Sequence, residues 1–325
     1  MRICITGAAG MIGRKLLARL AAEGTLAGKR ITTVDLHDIV APTKPEGAAF
    51  AVSTHQGDLA SPGAAAALVA AKPDVIFHLA GIVSGEAEAN FDLGYRVNLD
   101  GARALFDAVR AAQFSPRIVF TSSIAVFGAP FPAVIPDDFA LTPLTSYGTQ
   151  KAIAEALLAD YTRKGIFDGI GIRLPTICVR PGKPNKAASG FFSGIIREPL
   201  NGLPADLPVS RDVVHHLASP RSAVGFLLHA AAIEGERVGP RRNLTMPGVG
   251  VSVGEQIAAL RSIAGDKVVA LIREAPDATV ATIVAGWPTR FDAKRAHDLG
   301  FVAERTFADI IHAYIDDELG GRIAG

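Results

Sequence analysis

The segment RICITGAAGMIGRKLLARLAAEG, Arg2 to Gly24, restricts the possible folds more than any other part of the chain. A short β-type run, RICIT, ends in TGAAGMIG, with glycines at 7, 10 and 13, and a helical pattern follows at once. A strand that turns so quickly into a helix belongs to a βαβ unit. Glycine backbone at that turn can approach a pyrophosphate, whose charge then faces the helix N-terminus. The spacing G-x-x-G-x-x-G alone is weak, and its place between strand and helix gives it weight. Asp35 closes the next strand-like run, RITTVDL, 22 residues beyond Gly13. There an acidic side chain can hydrogen-bond a ribose diol. That carboxylate would repel a 2′-phosphate, so NAD is expected over NADP, with Arg14 and Lys15 as opposing basic groups.

The alternation continues through FAVSTHQGDL, DVIFHLAG (Asp74 to Gly81), RIVFTSS (Arg117 to Ser123) and GIGIRLP, with helical patterns between them. Ser61 is placed to cap a helix that has Pro62 at its first position. One long helix is expected from about Ala87 to Ala112, and another carries SYGTQKAIAEALLADYTRKG. This rhythm predicts an α/β fold, a Rossmann-type doubly wound parallel sheet, with an NAD-binding domain over 1–175. After Pro175 the rhythm breaks. Residues 176–325 are expected to form mainly a smaller mixed α/β substrate-binding lobe, with elements from about 208–250 returning to the first domain. Helices are expected near 189–197, 222–233 and 253–264, and strands near 242–246 and 267–272.

Composition narrows the function classes. The 325 residues are 49% hydrophobic with a formal net charge of +1, so there is no electrostatic case for nucleic acid or a membrane surface. No apolar run reaches the ~18 residues of a spanning helix. The first residues read directly as a strand, with no charged n-region and cleavage site. A cytoplasmic setting is therefore expected, with Cys4 and Cys178 as small buried hydrophobes. His215 and His216 are adjacent and lack acidic company, so no metal site is expected. Phe191 and Trp287 read as packing groups, and so does Phe192, which could also line a pocket.

In SYGTQKA, Tyr147 and Lys151 share one helix face. Oxidising an alcohol with a nicotinamide requires a base for the hydroxyl proton, and a phenol with a free pKa of about 10 does this poorly. Lowering it by 2–3 units requires about 3–4 kcal/mol. An ammonium about 4 Å away, at an effective dielectric near 20, supplies roughly 4 kcal/mol. Tyr147 is accordingly the expected general acid/base and Lys151 its activating cation. RPGKPNK, Arg180 to Lys186, places cations just past a strand end, where open α/β sheets bind ligands. Arg180 is the expected contact for a substrate carboxylate, assisted by Lys183, Asn185 or Lys186.

Together, TGAAGMIG, the serine pair in TSSIAVFG, SYGTQK, HLAG and the C-terminal FDAKRAHDLGF resemble the extended branch of the short-chain dehydrogenase/reductases. That branch includes the NAD-dependent epimerases and dehydratases. The resemblance implies NAD contacts at Gly7, Gly10, Met11, Ile12, Gly13, Asp35, Asp58, Leu59, Leu79, Ala80, Gly81, Asn98, Ser122, Tyr147, Lys151, Pro175 and Ile177. It implies that Lys151 also bonds the nicotinamide ribose. Ser123, five residues before Gly128 as in the family pattern, becomes the third catalytic residue, with Ser122 as its competitor. Ser123, Tyr147, Thr176, Arg180, Lys183, Asn185 and Phe192 are the implied substrate contacts. Within the branch, RLPTICVRPGKPNKAASGFFSGIIREPL resembles the D-erythronate dehydrogenases, which oxidise a four-carbon sugar acid. The chain departs from the N-x-Y-G-P-like sequence of sugar-nucleotide epimerases, with Thr176 and Ile177 followed by Cys178 to Pro181. Expected, then, is NAD-dependent oxidation of a small sugar acid, with a retained-NAD epimerase or dehydratase as the alternative. A non-catalytic dinucleotide-sensing module is the third possibility, and a homodimer is implied.

Overall fold

A computed structural model describes residues 1–182 and 188–323. Seven strands form the main sheet, in the order Asn243–Thr245, Asp168–Leu174, Arg117–Ser123, Val75–His78, Arg2–Thr6, Thr33–Asp38, Ala51–Gln56. Every registered pair in it is parallel. From the central strand Arg2–Thr6 the chain first winds outward through Thr33–Asp38 and Ala51–Gln56. It then returns to Val75–His78 and winds the other way. The reversal opens a crevice at the carboxyl ends of the strands beside Gly7, the ligand position of doubly wound sheets. The inner strands read as apolar runs because both faces are covered: Ile3, Ile5, Val34, Leu36, Ile76 and Phe77 have no exposed surface. Each such side chain contributes about 1.5–3 kcal/mol by leaving water.

The chain forms two compact units. The first comprises Met1–Val126, Pro143–Arg173 and Val224–Thr245, and so contains the main sheet almost entirely. The second comprises Phe127–Thr142, Leu174–Ala223 and the chain from Met246 onward. It holds a three-stranded sheet, Val249–Ser252, Val214–Ala218 and Thr176–Ile177, and a two-stranded one, Ala205–Leu207 with Ile272–Glu274. Helices Gly190–Leu200, Val253–Val269 and Phe307–Leu319 enclose its core around Phe192, Ile195, Ile257 and Ile311. Capping boxes at Ser252/Glu255 and Thr306/Asp309 start the last two. Both cysteines are free and buried.

Several local expectations change. Gly63, not Ser61, caps the helix Ala64–Val69, because the turn ahead of it puts Gly63 at φ +81°. Residues 267–269 are helical rather than extended, since helix Val253–Val269 resumes after a break at Gly265, and the strand is Ile272–Glu274. The single long helix from about 87 to 112 is instead Ser84–Ala89, Phe91–Gly94, a π-helical turn Tyr95–Asp100 and Gly101–Ala111. None of the described helices is long and apolar enough to cross a membrane.

Candidate active site

The glycine turn is a cradle that side chains would fill. A Cβ on Gly7, which sits at φ +73°, would lie 2.7 Å from the backbone of Leu79 and Ala80, and one on Gly13 would lie 2.4 Å from the Gly7 carbonyl oxygen. Leu79 and Ala80 therefore pass directly against the turn. Gly10 precedes helix Met11–Glu23, whose first turn carries no acidic residue. With no acidic residue of its own in that turn, the helix dipole favours an anion at its N-terminus. The turn suits a dinucleotide pyrophosphate.

Asp35 does not close its strand. It pairs with Cys4, three residues before Gly7, and accepts a hydrogen bond from Ser53 Oγ at 2.7 Å. The strand runs on to Asp38 because His37 is buried, and Asp38 Oδ2 accepts the Ala9 N–H at 2.8 Å. Sequence reasoning missed Asp38, since His-Asp after an apolar run reads as loop. Of the other expected contacts, Asp58 is paired with Arg96 at 2.5 Å and accepts the Ala60 N–H, and Leu59 is a core residue.

Around Lys151 the groups converge. Its ammonium is almost fully buried, donates to the Thr121 carbonyl at 2.9 Å and lies 4.9 Å from the Phe120 ring centre. A Cβ on Gly81 would lie 3.5 Å from Lys151 Nζ and 2.9 Å from Asn98 Oδ1. Asn98 sits in the π-helical turn, where it donates to Gln150 Oε1 at 2.8 Å and accepts the Ile82 N–H. Gln150 was invisible in the sequence, although its neighbour Lys151 drew attention. His78 is buried against Phe120, bonds Thr6 Oγ1 at 2.7 Å, and is held neutral, with a pKa of about 3, by burial and then by Lys151.

Helix Ser146–Arg163 presents Tyr147 and Lys151 together, started by Thr145, whose hydroxyl accepts the Gly148 N–H. Lys151 Nζ is 5.8 Å from the Tyr147 ring centre. Burial pushes Tyr147 up to about 12, opposed by its hydrogen bond to Ser123. The depressed phenol expected from the Y-x-x-x-K spacing is thus not the state of the chain alone. Desolvation disfavours the charged phenolate, and in the chain alone it outweighs the Ser123 hydrogen bond that favours it. Lys151 itself is lowered to about 8 by burial, with Glu155 opposing. Ser122 is not a free hydroxyl at the strand end: it is buried and donates to Glu155 Oε1 at 2.5 Å.

Met11 and Ile12 open helix Met11–Glu23 in the first unit, and the expected residues from Pro175 onward belong to the second. Pro175 is buried, and Thr176 and Ile177 form a short strand beside Leu217 and Ala218. Thr176 Oγ1 hydrogen-bonds His215 Nε2 at 2.7 Å. Phe192 has no exposed surface and stacks on His215, which also meets Trp287, so Phe192 is a core residue rather than a pocket wall. Arg180 is largely buried, which lowers its pKa. Among the described residues its guanidinium meets the Ser189 hydroxyl at 3.1 Å. Lys183, Asn185 and Lys186 lie outside the described residues. No described group of three His, Cys, Asp or Glu could hold a metal ion.

Residues 3–217 match the profile of the NAD dependent epimerase/dehydratase family. The chain belongs to that family. NAD is therefore the cofactor. The chain is 47% identical to D-erythronate dehydrogenase of Cupriavidus necator over 98% of both chains. It is 38% identical to D-erythronate dehydrogenase of Haemophilus influenzae over 98% of this chain and 100% of that one. It is also similar to a crystal structure from Agrobacterium tumefaciens described as a nucleoside-diphosphate-sugar epimerase. There the identity is 61%, the TM-score 0.98, and the coverage 100% of this chain and 96% of that one.

Proposed function

We propose that this family member oxidises a small hydroxylated sugar acid, D-erythronate in the first instance, to its 2-oxo acid with NAD. The full-length likeness to two D-erythronate dehydrogenases carries the choice of substrate, and the Ser123–Tyr147–Lys151 arrangement supplies the chemistry. Bound oxidised nicotinamide provides the hydride acceptor and a positive charge. Ser123 holds the substrate hydroxyl oxygen, and Tyr147 Oη accepts the hydroxyl proton as hydride leaves C2. Lys151, fixed by the Thr121 carbonyl, stabilises the phenolate and hydrogen-bonds the nicotinamide ribose. The same reading carries a cytoplasmic homodimer acting in carbohydrate metabolism.

The Agrobacterium likeness favours a second reading, a nucleotide-sugar epimerase that retains its NAD. Products separate the two. Incubation with four- and five-carbon aldonic acids should generate NADH, with D-erythronate the best substrate, and nucleotide sugars should come back unchanged. Redox-neutral conversion of a nucleotide sugar without NADH formation from any acid would overturn the dehydrogenase reading.

Arg180 is the proposed carboxylate contact. Arg180→Ala should raise KM for D-erythronate roughly 10–100-fold, the equivalent of a charge-assisted hydrogen bond, while KM for NAD stays within about twofold by the same reasoning. Equal rises in both would make it structural. For ribose recognition, Asp38→Ala should weaken NAD by about 1–3 kcal/mol, because the Ala9 amide loses its acceptor, and should narrow the preference over NADP. A preference that moves only with Asp35→Ala would return that role to Asp35.

A further inference from the structure

Three consecutive residues at the end of strand Arg117–Ser123 are keyed to three residues spaced four apart on helix Ser146–Arg163. The Thr121 carbonyl takes Lys151, Ser122 donates to Glu155, and Ser123 bonds Tyr147. The sequence reading accounted for only the last of these pairs. Glu155 is 1% exposed and is gripped by Arg173 of the next strand, with Nε at 3.0 and 3.1 Å and Nη2 at 2.7 Å. A buried ion pair is costly to maintain and contributes little net stability. Its presence one helical turn beyond Lys151 therefore calls for another reason.

We propose that Glu155 is a positioning residue: its carboxylate fixes the Ser122 hydroxyl, and with it the strand end that holds Ser123 and Lys151, and supplies the buried countercharge to the Lys151 ammonium. The proposal rests on the Tyr147/Lys151 reading of the site. Other charged or titratable groups around that helix are differently disposed. Tyr147 shares its face, and His78 is neutral. Glu88 accepts the Ser146 N–H at the helix start, Asp107 accepts from Tyr161 toward its far end, and Arg96 is paired with Asp58. Glu155 is the carboxylate that opposes the desolvation of Lys151, and Arg173 in turn partly neutralises Glu155.

The two ends of the ion pair should therefore act on Lys151 with opposite signs. In Glu155→Gln, Lys151 should titrate below the wild-type position near 8, and in Arg173→Gln above it. Side-chain NMR of labelled lysine in the cofactor-free protein reads this directly, assigned by loss of the signal in Lys151→Met. Both limbs of the pH profile for kcat should move the same way as that titration, by about one unit, a tenfold change in protonation equilibrium. The double variant Glu155→Leu/Arg173→Leu replaces the pair with apolar packing and keeps the test open if a single variant does not fold. It should follow the Glu155→Gln direction. Folded variants with unmoved titrations, or with shifts of one sign in both single variants, would overturn the proposal and reduce the pair to a structural strut. Wild-type protein without dehydrogenase activity, but with the opposite-signed shifts intact, would instead remove the reaction assignment and leave the electrostatic link standing.

Discussion

Tyr147→Phe should lower kcat for D-erythronate oxidation by about 10²–10⁴-fold, the range supplied by one general base, with NAD affinity changed less than about twofold. The substitution deletes the proton acceptor and the Ser123 hydrogen bond while leaving the ring packed. The glycine cradle around Gly7 and Gly13 is untouched, so binding and chemistry should separate cleanly. The wild-type profile should also carry a definite sign. Burial raises the phenol to about 12 in the chain alone, and oxidation needs the phenolate, so kcat for oxidation should climb with pH on its acidic limb. Reduction of the 2-oxo acid needs the phenol and should fall over the same interval. Stopped-flow turnover and NAD titration by fluorescence check the first statement, and initial rates in both directions across pH check the second. A variant within tenfold of wild type would mean that Tyr147 is not the base.

What was legible in the sequence follows from how local each signal is. The glycine turn, the parallel-sheet rhythm and the Tyr147–Lys151 spacing are fixed by neighbours within one or two turns of chain, and the structure contains each of them. Quantities set by distant partners were not legible. Whether Lys151 lowers Tyr147 depends on how much protein surrounds both groups, and in the chain alone burial raises the phenol. Ser122 looked like a ligand contact until Glu155, 33 residues away, took its hydroxyl. Phe192 lost its pocket role to His215 and the core. Asp38 was hidden because only the partner strands show that His37 is buried. The π-helical turn around Asn98 lies between Gly94 and Gly101, but nothing within YRVNLD itself distinguishes it from an ordinary helical turn.

Gly148 offers the sharpest conflict between local rule and tertiary contact. It lies within helix Ser146–Arg163, where replacing glycine by alanine should gain up to ~1 kcal/mol on propensity alone. Yet a Cβ there would lie 2.1 Å from the Ala125 carbonyl oxygen and 2.9 Å from Pro143 Cβ. Neither obstacle is the flexible end of a side chain, so the helix must move away from the segment that follows Ser123. Overpacking of this kind costs about 1–3 kcal/mol or more, which exceeds the propensity gain. Displacing Tyr147 by as little as ~1 Å from Ser123 costs on the order of 10²-fold in turnover. Gly148→Ala should therefore melt several degrees below wild type and lose about 10²-fold in kcat by that estimate. Gly225, in helix Pro220–Ala232, has nothing within 4 Å of its would-be Cβ, so Gly225→Ala should raise the melting temperature with kcat unchanged. Calorimetry on the two variants decides it: the same substitution in two helices should shift stability in opposite directions, because in one of them a backbone oxygen occupies the space the methyl group needs.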